Sequence, residues 1–321
     1  MKRIRLRMAI AAIFTMPLAI YIIYDGLFLL KRSKTIMSTG THSTVTEVLP
    51  FQGGISIEKK CKEMGLTSDH AKRAYHKIIV DHQYKVLYCE IPKVATTNWK
   101  RVFLMLSSKM SPSLKLNMKP GDIHHRYEKY TTFLSALQPV EIDEVLKTYY
   151  KFVFVREPFE RLLSAYLNKL VASREGMFAS FGRSIVKKYR NNSRNKDPHP
   201  SFSEFLEYVV KTNTLTLNEH WQLQEDLCQV CNIKYDLIGK YEELQTTAQA
   251  ILDHIGAPSS VAFPQRSDWY RNEKTNNLLR HYYQDVPPSL LQQVWRKFYP
   301  DFQLFNYTVP SAITNPTKSW K

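Results

Sequence analysis

Two short segments limit what this chain can fold into more than any other feature. Lys85-Val86-Leu87-Tyr88-Cys89-Glu90-Ile91 reads as an apolar strand and runs into the loop Pro92-Lys93-Val94-Ala95-Thr96-Thr97-Asn98. Phe152-Val153-Phe154-Val155 reads as a second strand and runs into Arg156-Glu157-Pro158-Phe159-Glu160-Arg161-Leu162-Leu163-Ser164. A helical pattern follows each. The first, from about Asn98 to Ser108, carries Val102, Phe103 and Leu106 on one face, and Pro158 suits the first turn of the second. A strand that turns into a helix start aims unpaired backbone N–H groups at one point, which makes an anion site. Two such sites, one with a lysine and one with an arginine, suit a nucleotide carrying phosphates at both ends.

The surrounding pattern extends this unit. Phe152 to Val155 is an unbroken apolar run, as in a strand buried on both faces of a parallel sheet. Tyr235 to Tyr241 reads as another strand, leading into a helix from Glu243 to Ile255. Strands alternating with helices predict an α/β fold with a central, mainly parallel sheet flanked by helices. The 321 residues have room for one large domain or two small ones, and 44% hydrophobic content supplies a packed core. Ser184 to Pro200 and Lys109 to Lys119 are basic and read as surface loops, candidate walls of a groove for a polyanion.

The formal net charge of +16 calls for an anionic partner or surface. No zinc-finger, homeodomain or RNA-recognition signature accompanies it, which argues against nucleic acid. A sulfated or carboxylated polysaccharide fits the charge. At the N-terminus, Lys2, Arg3, Arg5 and Arg7 precede an apolar stretch from Met8 to Tyr24, extended by Leu27 to Leu30. We read residues 1–7 as a cytoplasmic tail and 8–30 as a transmembrane signal anchor. Residues 31–54 then form a lumenal stem, rich in Ser and Thr from Ser38 to Thr46, and 55–321 the lumenal domain.

Behind such an anchor, the cysteines Cys61, Cys89, Cys228 and Cys231 would meet an oxidising lumen and form disulfides. Of the three possible pairings we favour Cys228–Cys231 with Cys61–Cys89. Cys228-x-x-Cys231 has no second ligand pair at zinc spacing, so no metal site is expected. Asn191-Asn192-Ser193 and Asn306-Tyr307-Thr308 are N-glycosylation sequons, whereas Asn315 precedes Pro316 and is excluded.

The two loop segments resemble the 5′-phosphosulfate loop and the 3′-phosphate segment of sulfotransferases that use 3′-phosphoadenylyl sulfate (PAPS). The wording from Pro92 to Arg101 and from Phe152 to Lys169 is most similar to the Golgi carbohydrate sulfotransferases related to the human-natural-killer-epitope enzyme. Within that family it resembles the chondroitin and dermatan N-acetylgalactosamine 4-O-sulfotransferases. The likeness runs from about Tyr84 to Pro310, including Asn218-Glu219-His220-Trp221, Tyr235 to Glu242 and Phe302 to Tyr307.

The resemblance implies a PAPS-dependent sulfotransferase fold with a P-loop-like nucleotide site. It also implies a single-pass type II Golgi membrane protein with its catalytic domain in the lumen. The implied reaction moves sulfate from PAPS to a glycan hydroxyl, foremost O-4 of N-acetylgalactosamine in dermatan or chondroitin sulfate. Terminal N-acetylgalactosamine on N-glycans is an alternative acceptor. A membrane-tethered polysaccharide-binding protein that has lost catalysis is another reading. A nucleotide kinase is disfavoured, because the chain has no Gly-x-x-x-x-Gly-Lys-Ser/Thr run.

Sulfuryl transfer is a loose in-line displacement governed by positioning and electrostatics, and it does not require a divalent metal. On the resemblance, Lys93 stabilises the leaving phosphate oxygen, Thr96 and Thr97 donate hydroxyls, and Arg156 and Ser164 hold the 3′-phosphate. Family members carry a cysteine where Thr96 stands. His125, in His124-His125-Arg126, is the implied general base, with His124 beside it and His220 as its rival. Arg266, Trp269, Tyr270 and Arg271 alternate cationic and aromatic residues, as an acceptor-binding patch would.

Overall fold

In a computed structural model, residues 54–311 are described, apart from 68–69, 112, 114, 116–117, 191–195 and 266–273. The expected anchor and stem, the Asn191 sequon, and Arg266, Trp269, Tyr270 and Arg271 lie outside the described residues. Among the described residues, no helix is long and apolar enough to cross a membrane. Asn306 is exposed.

A five-stranded sheet organises the chain, with strands β1 (Ile78–Asp81), β2 (Val86–Cys89), β3 (Thr132–Phe133), β4 (Tyr150–Val155) and β5 (Leu237–Lys240). Their order is β3-β1-β2-β4-β5. The central pairings β2·β4 and β4·β5 are parallel, whereas β1 runs antiparallel to both β2 and β3. The expectation of a mainly parallel sheet is therefore corrected: the α/β class holds, but the sheet is mixed. The missed feature is the β1–β2 hairpin. Its turn, His82-Gln83-Tyr84-Lys85, carries no glycine, proline or asparagine to announce it. Asp81 closes it instead, its Oδ1 accepting from the Tyr84 N–H at 2.9 Å, and Lys85 takes a left-handed φ of 50°.

The helix after β2 spans Thr96–Leu106, two residues ahead of the expected start, and the one after β4 spans Pro158–Tyr166. The helix Leu244–His254 follows β5 after one 3-10 turn. The helix Gly176–Tyr189 occupies the first part of the stretch expected to be a loop from Ser184.

One core lies against the sheet, where the Trp99 ring centroid sits 4.6 Å from Phe152 and 4.9 Å from Phe263. Gly239 on β5 belongs to this packing: a Cβ there would come within 2.5 Å of the Phe154 ring. A second core joins Phe159, Phe205, Trp221, Tyr283 and Phe302 among the helices. The sequence between β4 and β5 builds most of this layer, and it carries the Asn218–Trp221 turn, closed by the Trp221 N–H on the Asn218 carbonyl.

The disulfides differ from expectation. Cys61 pairs with Cys231 and Cys89 with Cys228, with Cα separations of 5.5 and 5.9 Å. The favoured pairing of Cys228 with Cys231, and so of Cys61 with Cys89, is wrong. The helix Gln224–Cys228 ends at Cys228, and Gln229 takes a left-handed φ of 49°, which turns the two cysteines toward different neighbours. Cys89, at the end of β2, takes one; Cys61, in the helix Gly54–Glu63, takes the other. Both bridges close long loops, 139 and 170 residues in separation. Crosslinks of that reach restrict the unfolded chain strongly.

Candidate functional site

Because β2 and β4 are adjacent and parallel, with Cys89 opposite Val153, their C-terminal ends lie side by side. Both loop segments therefore begin at one edge of the sheet. The first loop has no glycine, yet Lys93 and Ala95 take φ of 72° and 57°. A left-handed residue costs an L-amino acid roughly 1–2 kcal/mol, so the fold holds this shape against local preference. The Val94 N–H bonds the Ile91 carbonyl, and those of Asn98 and Trp99 return to Ala95. The N–H groups of Lys93, Ala95, Thr96 and Thr97 find no acceptor among the described residues, which leaves them available to an anion. Thr96 is buried, and its hydroxyl donates to the Ile91 carbonyl at 2.6 Å. Of the two threonines, Thr97 alone has its hydroxyl on the site.

The second segment works differently from the first. Glu157 caps its own helix, its carboxylate accepting from the N–H groups of Phe159 and Glu160 at 3.1 and 2.6 Å. That helix terminus is therefore filled from within. Arg156 reaches the site through its side chain. It is 5% exposed, donates to the Lys93 carbonyl and to Glu160, each at 3.2 Å, and lies 4.3 Å from the Tyr241 ring centroid. Its Nε has no partner. Ser164 is half-buried, two turns into the same helix.

Arg161, grouped with the donor-binding residues in the sequence, is a strut. It is 1% exposed and donates to the carbonyls of Pro92 at 3.0 Å, Gln222 at 2.6 Å and Glu219 at 2.8 Å. It thereby fixes the first loop to the turn carrying His220. Val94, Phe159, Leu162 and Leu163 are core residues.

The histidines divide clearly. His124 Nε2 lies 2.7 Å from the Thr97 hydroxyl, whereas His125 is exposed beside it. His220 is half-buried, with Nδ1 2.7 Å from the Asn218 side-chain oxygen. Sequence reasoning missed several residues here. Lys93 Nζ donates to Asn168 Oδ1 at 3.1 Å. Glu90, at the end of β2, pairs with Lys100 at 2.8 Å and with Lys77 at 4.0 Å, and Lys77 also pairs with Glu219. The available signal was position: Glu90 immediately precedes the loop, and Lys100 follows Thr96 by one helical turn. Among the described residues, no cluster of His, Cys, Asp and Glu could hold a metal ion.

The sulfotransferase family profile matches residues 76–308. This chain belongs to the sulfotransferase family. Carbohydrate sulfotransferase 14 of Danio rerio is 39% identical over 247 residues, 76% of this chain and 65% of that protein. The Homo sapiens protein of the same name is 41% identical over 241 residues, 73% and 61% of the two chains. Carbohydrate sulfotransferase 9 of Homo sapiens is 33% identical over 264 residues, 79% of this chain and 59% of that one. This sulfotransferase chain thus matches less than two thirds of the length of each of these relatives. No solved structure matches it.

Cations crowd this site and set its titration. Burial, then Arg156, Lys169 and Arg161, push the Lys93 ammonium down to about 7. Burial, then Lys100, His125 and Lys169, push His124 down to about 4. Burial, then Lys169 and Lys93, push His220 down to about 2. Both rings are therefore neutral near pH 7, the form a proton acceptor needs. Burial raises Glu90.

Proposed function

We propose that this chain transfers the sulfuryl group of PAPS to a glycan hydroxyl, foremost O-4 of N-acetylgalactosamine in dermatan or chondroitin. The observation that carries the reading is the contact between Arg156 and the Lys93 carbonyl at 3.2 Å. It joins the two cationic segments into one rim that a nucleotide with phosphates at both ends can span. The residues fit such a donor, since Arg156 Nε is buried and unpartnered and the loop N–H groups have no acceptor among the described residues.

When bound, PAPS supplies an activated sulfuryl group. The loop N–H groups and Lys93 would hold its phosphosulfate end, and Arg156 and Ser164 its 3′-phosphate. Lys93 would donate a hydrogen bond to the leaving phosphate oxygen. His124, whose Nε2 is held by the Thr97 hydroxyl at 2.7 Å, would take the acceptor hydroxyl proton. His220, steadied by Asn218 and by the Phe178 ring at 5.4 Å, lines the far side. We place the enzyme in the Golgi membrane with this domain in the lumen.

Incubating the purified chain with radiolabelled PAPS and a panel of desulfated dermatan, chondroitin and N-glycans tests the reading. Label at O-4 of N-acetylgalactosamine in the polysaccharides is expected. Label in N-glycans alone would move the acceptor, and label in none would reject transferase activity.

A further inference from the structure

The helix Pro158–Tyr166 does not simply end. It widens into a π turn over Leu167–Val171, with the Leu167 N–H still bonded back into the helix. π turns are rare, and they recur where a helix must redirect side chains at a functional site. This one presents Asn168 to Lys93 and carries Lys169 next in the chain.

Lys169 stands on a wall built by aromatic rings. Its Nζ is 4.6 Å from the Phe178 ring centroid, and Phe178 meets the His220 ring edge-on at 5.4 Å. The side chain is half-buried, and its ammonium has no hydrogen bond or ion pair among the described residues. The nearby acid, Glu219, is engaged by Lys77. A half-buried ammonium whose nearby carboxylate is already held by another lysine is poorly compensated, and more so beside other cations. Lys93, His124 and His220 all feel the charge of Lys169, which sets it between the donor-side lysine and the two histidines. The donor's anionic ends already have Lys93, Arg156 and the loop N–H groups. Phe178, the ring beneath Lys169, also packs on His220, which joins the ammonium to the histidine side of the site.

Building on the sulfotransferase reading, we propose that Lys169 recognises an acidic substituent of the acceptor glycan, a carboxylate or sulfate on the sugar beside the reacting hydroxyl. The ammonium supplies a charge-assisted hydrogen bond that a neutral glycan cannot return. It therefore makes the enzyme selective for acidic chains at the sugar being modified, separately from any broad surface charge.

The test measures kcat/KM for the full chain with desulfated chondroitin and with its carboxyl-reduced counterpart. A sulfated, carboxyl-reduced chondroitin serves as a third acceptor. Wild type should prefer the acidic chains. Lys169→Gln should lower that preference by about tenfold or more, as expected for a lost charge-assisted contact, and Lys169→Arg should keep most of it. The acceptor whose advantage is lost identifies the acid as carboxylate or sulfate. Equal losses on all three acceptors would overturn the proposal, since a fold-supporting or sulfuryl-stabilising residue acts on all alike. Calorimetry with adenosine 3′,5′-bisphosphate on the same variants reports whether the donor pocket survives. A wild-type protein that binds this nucleotide but sulfates no glycan would refute the acceptor proposal while leaving donor binding standing. One that binds no nucleotide would refute the sulfotransferase reading itself.

Discussion

The lowered Lys93 pKa makes donor binding a proton-coupled event, and the coupling can be worked out from the site. In the free protein Lys93 is pushed down to about 7 by burial and by Arg156, Lys169 and Arg161. A bound phosphosulfate or phosphate supplies the missing negative charge and returns the ammonium toward its ordinary range. At pH 8 the free lysine is therefore only about one tenth protonated, and binding takes up about 0.9 proton per nucleotide. The sign follows from the same shift: affinity is fully present below about pH 7 and falls by up to about tenfold per pH unit above it. Titration calorimetry with adenosine 3′,5′-bisphosphate at pH 8, in buffers of different ionisation heat, gives the proton count directly. That pH avoids the second phosphate ionisation near 6, and both histidines are already neutral there. Wild type should take up close to one proton and Lys93→Met none. A count near zero in wild type, or the same count in Lys93→Met, would refute the argument.

Arg161→Met should destabilise the fold by roughly 3 kcal/mol or more, because three part-buried carbonyls lose a buried charged donor; urea unfolding measures it, and a change below about 1 kcal/mol would remove its role as a strut. Replacing either Cys89 or Cys228 by Ser should cost about 2–5 kcal/mol in the same assay. Non-reducing peptide mapping should return Cys61 with Cys231 and Cys89 with Cys228, and a Cys61–Cys89 peptide would contradict the structure. His124→Ala should lower kcat by about 10²–10⁴ with donor affinity retained, while His125→Ala stays within a few-fold; the reverse pattern would return the base to His125.

The two strand–loop–helix units were legible because burial and helix entry each leave a local mark. Phe152 to Val155 is apolar without a break since β4 has a parallel neighbour on each side, and Pro158 marks a helix start in any context. What escaped notice depends on distant partners. The hairpin turn into β2 is the local exception: Asp81 holds it from the turn's first position, where aspartate is favoured, although no glycine, proline or asparagine follows. The pairing of Cys228 and Cys231 is decided by one left-handed residue, Gln229, which sends them to opposite neighbours. Adjacent histidines look alike in a sequence, yet a single turn after Ile123 points His124 at Thr97 and leaves His125 exposed. Arg161 is the sharpest case. Its place in the motif marks it as important, but only the three carbonyls around it reveal that its charge is spent on the backbone.

That distinction between spent and unspent cations explains how so much positive charge can be held at one edge of a sheet. Arg161 satisfies carbonyls, and Lys77 and Lys100 are matched to Glu90 and Glu219. These charges fix the geometry and offer little to a ligand. Lys93 has only a neutral amide, Arg156 keeps its Nε unpaired, and Lys169 has a ring face. Burying these cations with incomplete compensation costs stability in the free protein, Arg156 being partly offset by Glu160 and Lys169 by Glu219, and the cost appears as depressed pKa values for Lys93 and Lys169. An anionic ligand removes that cost on arrival, because the donors are already oriented and need not be drawn from water. The spent cations thus hold the unspent ones in place, and the same arrangement that destabilises the empty site gives it affinity for a doubly phosphorylated, sulfated nucleotide.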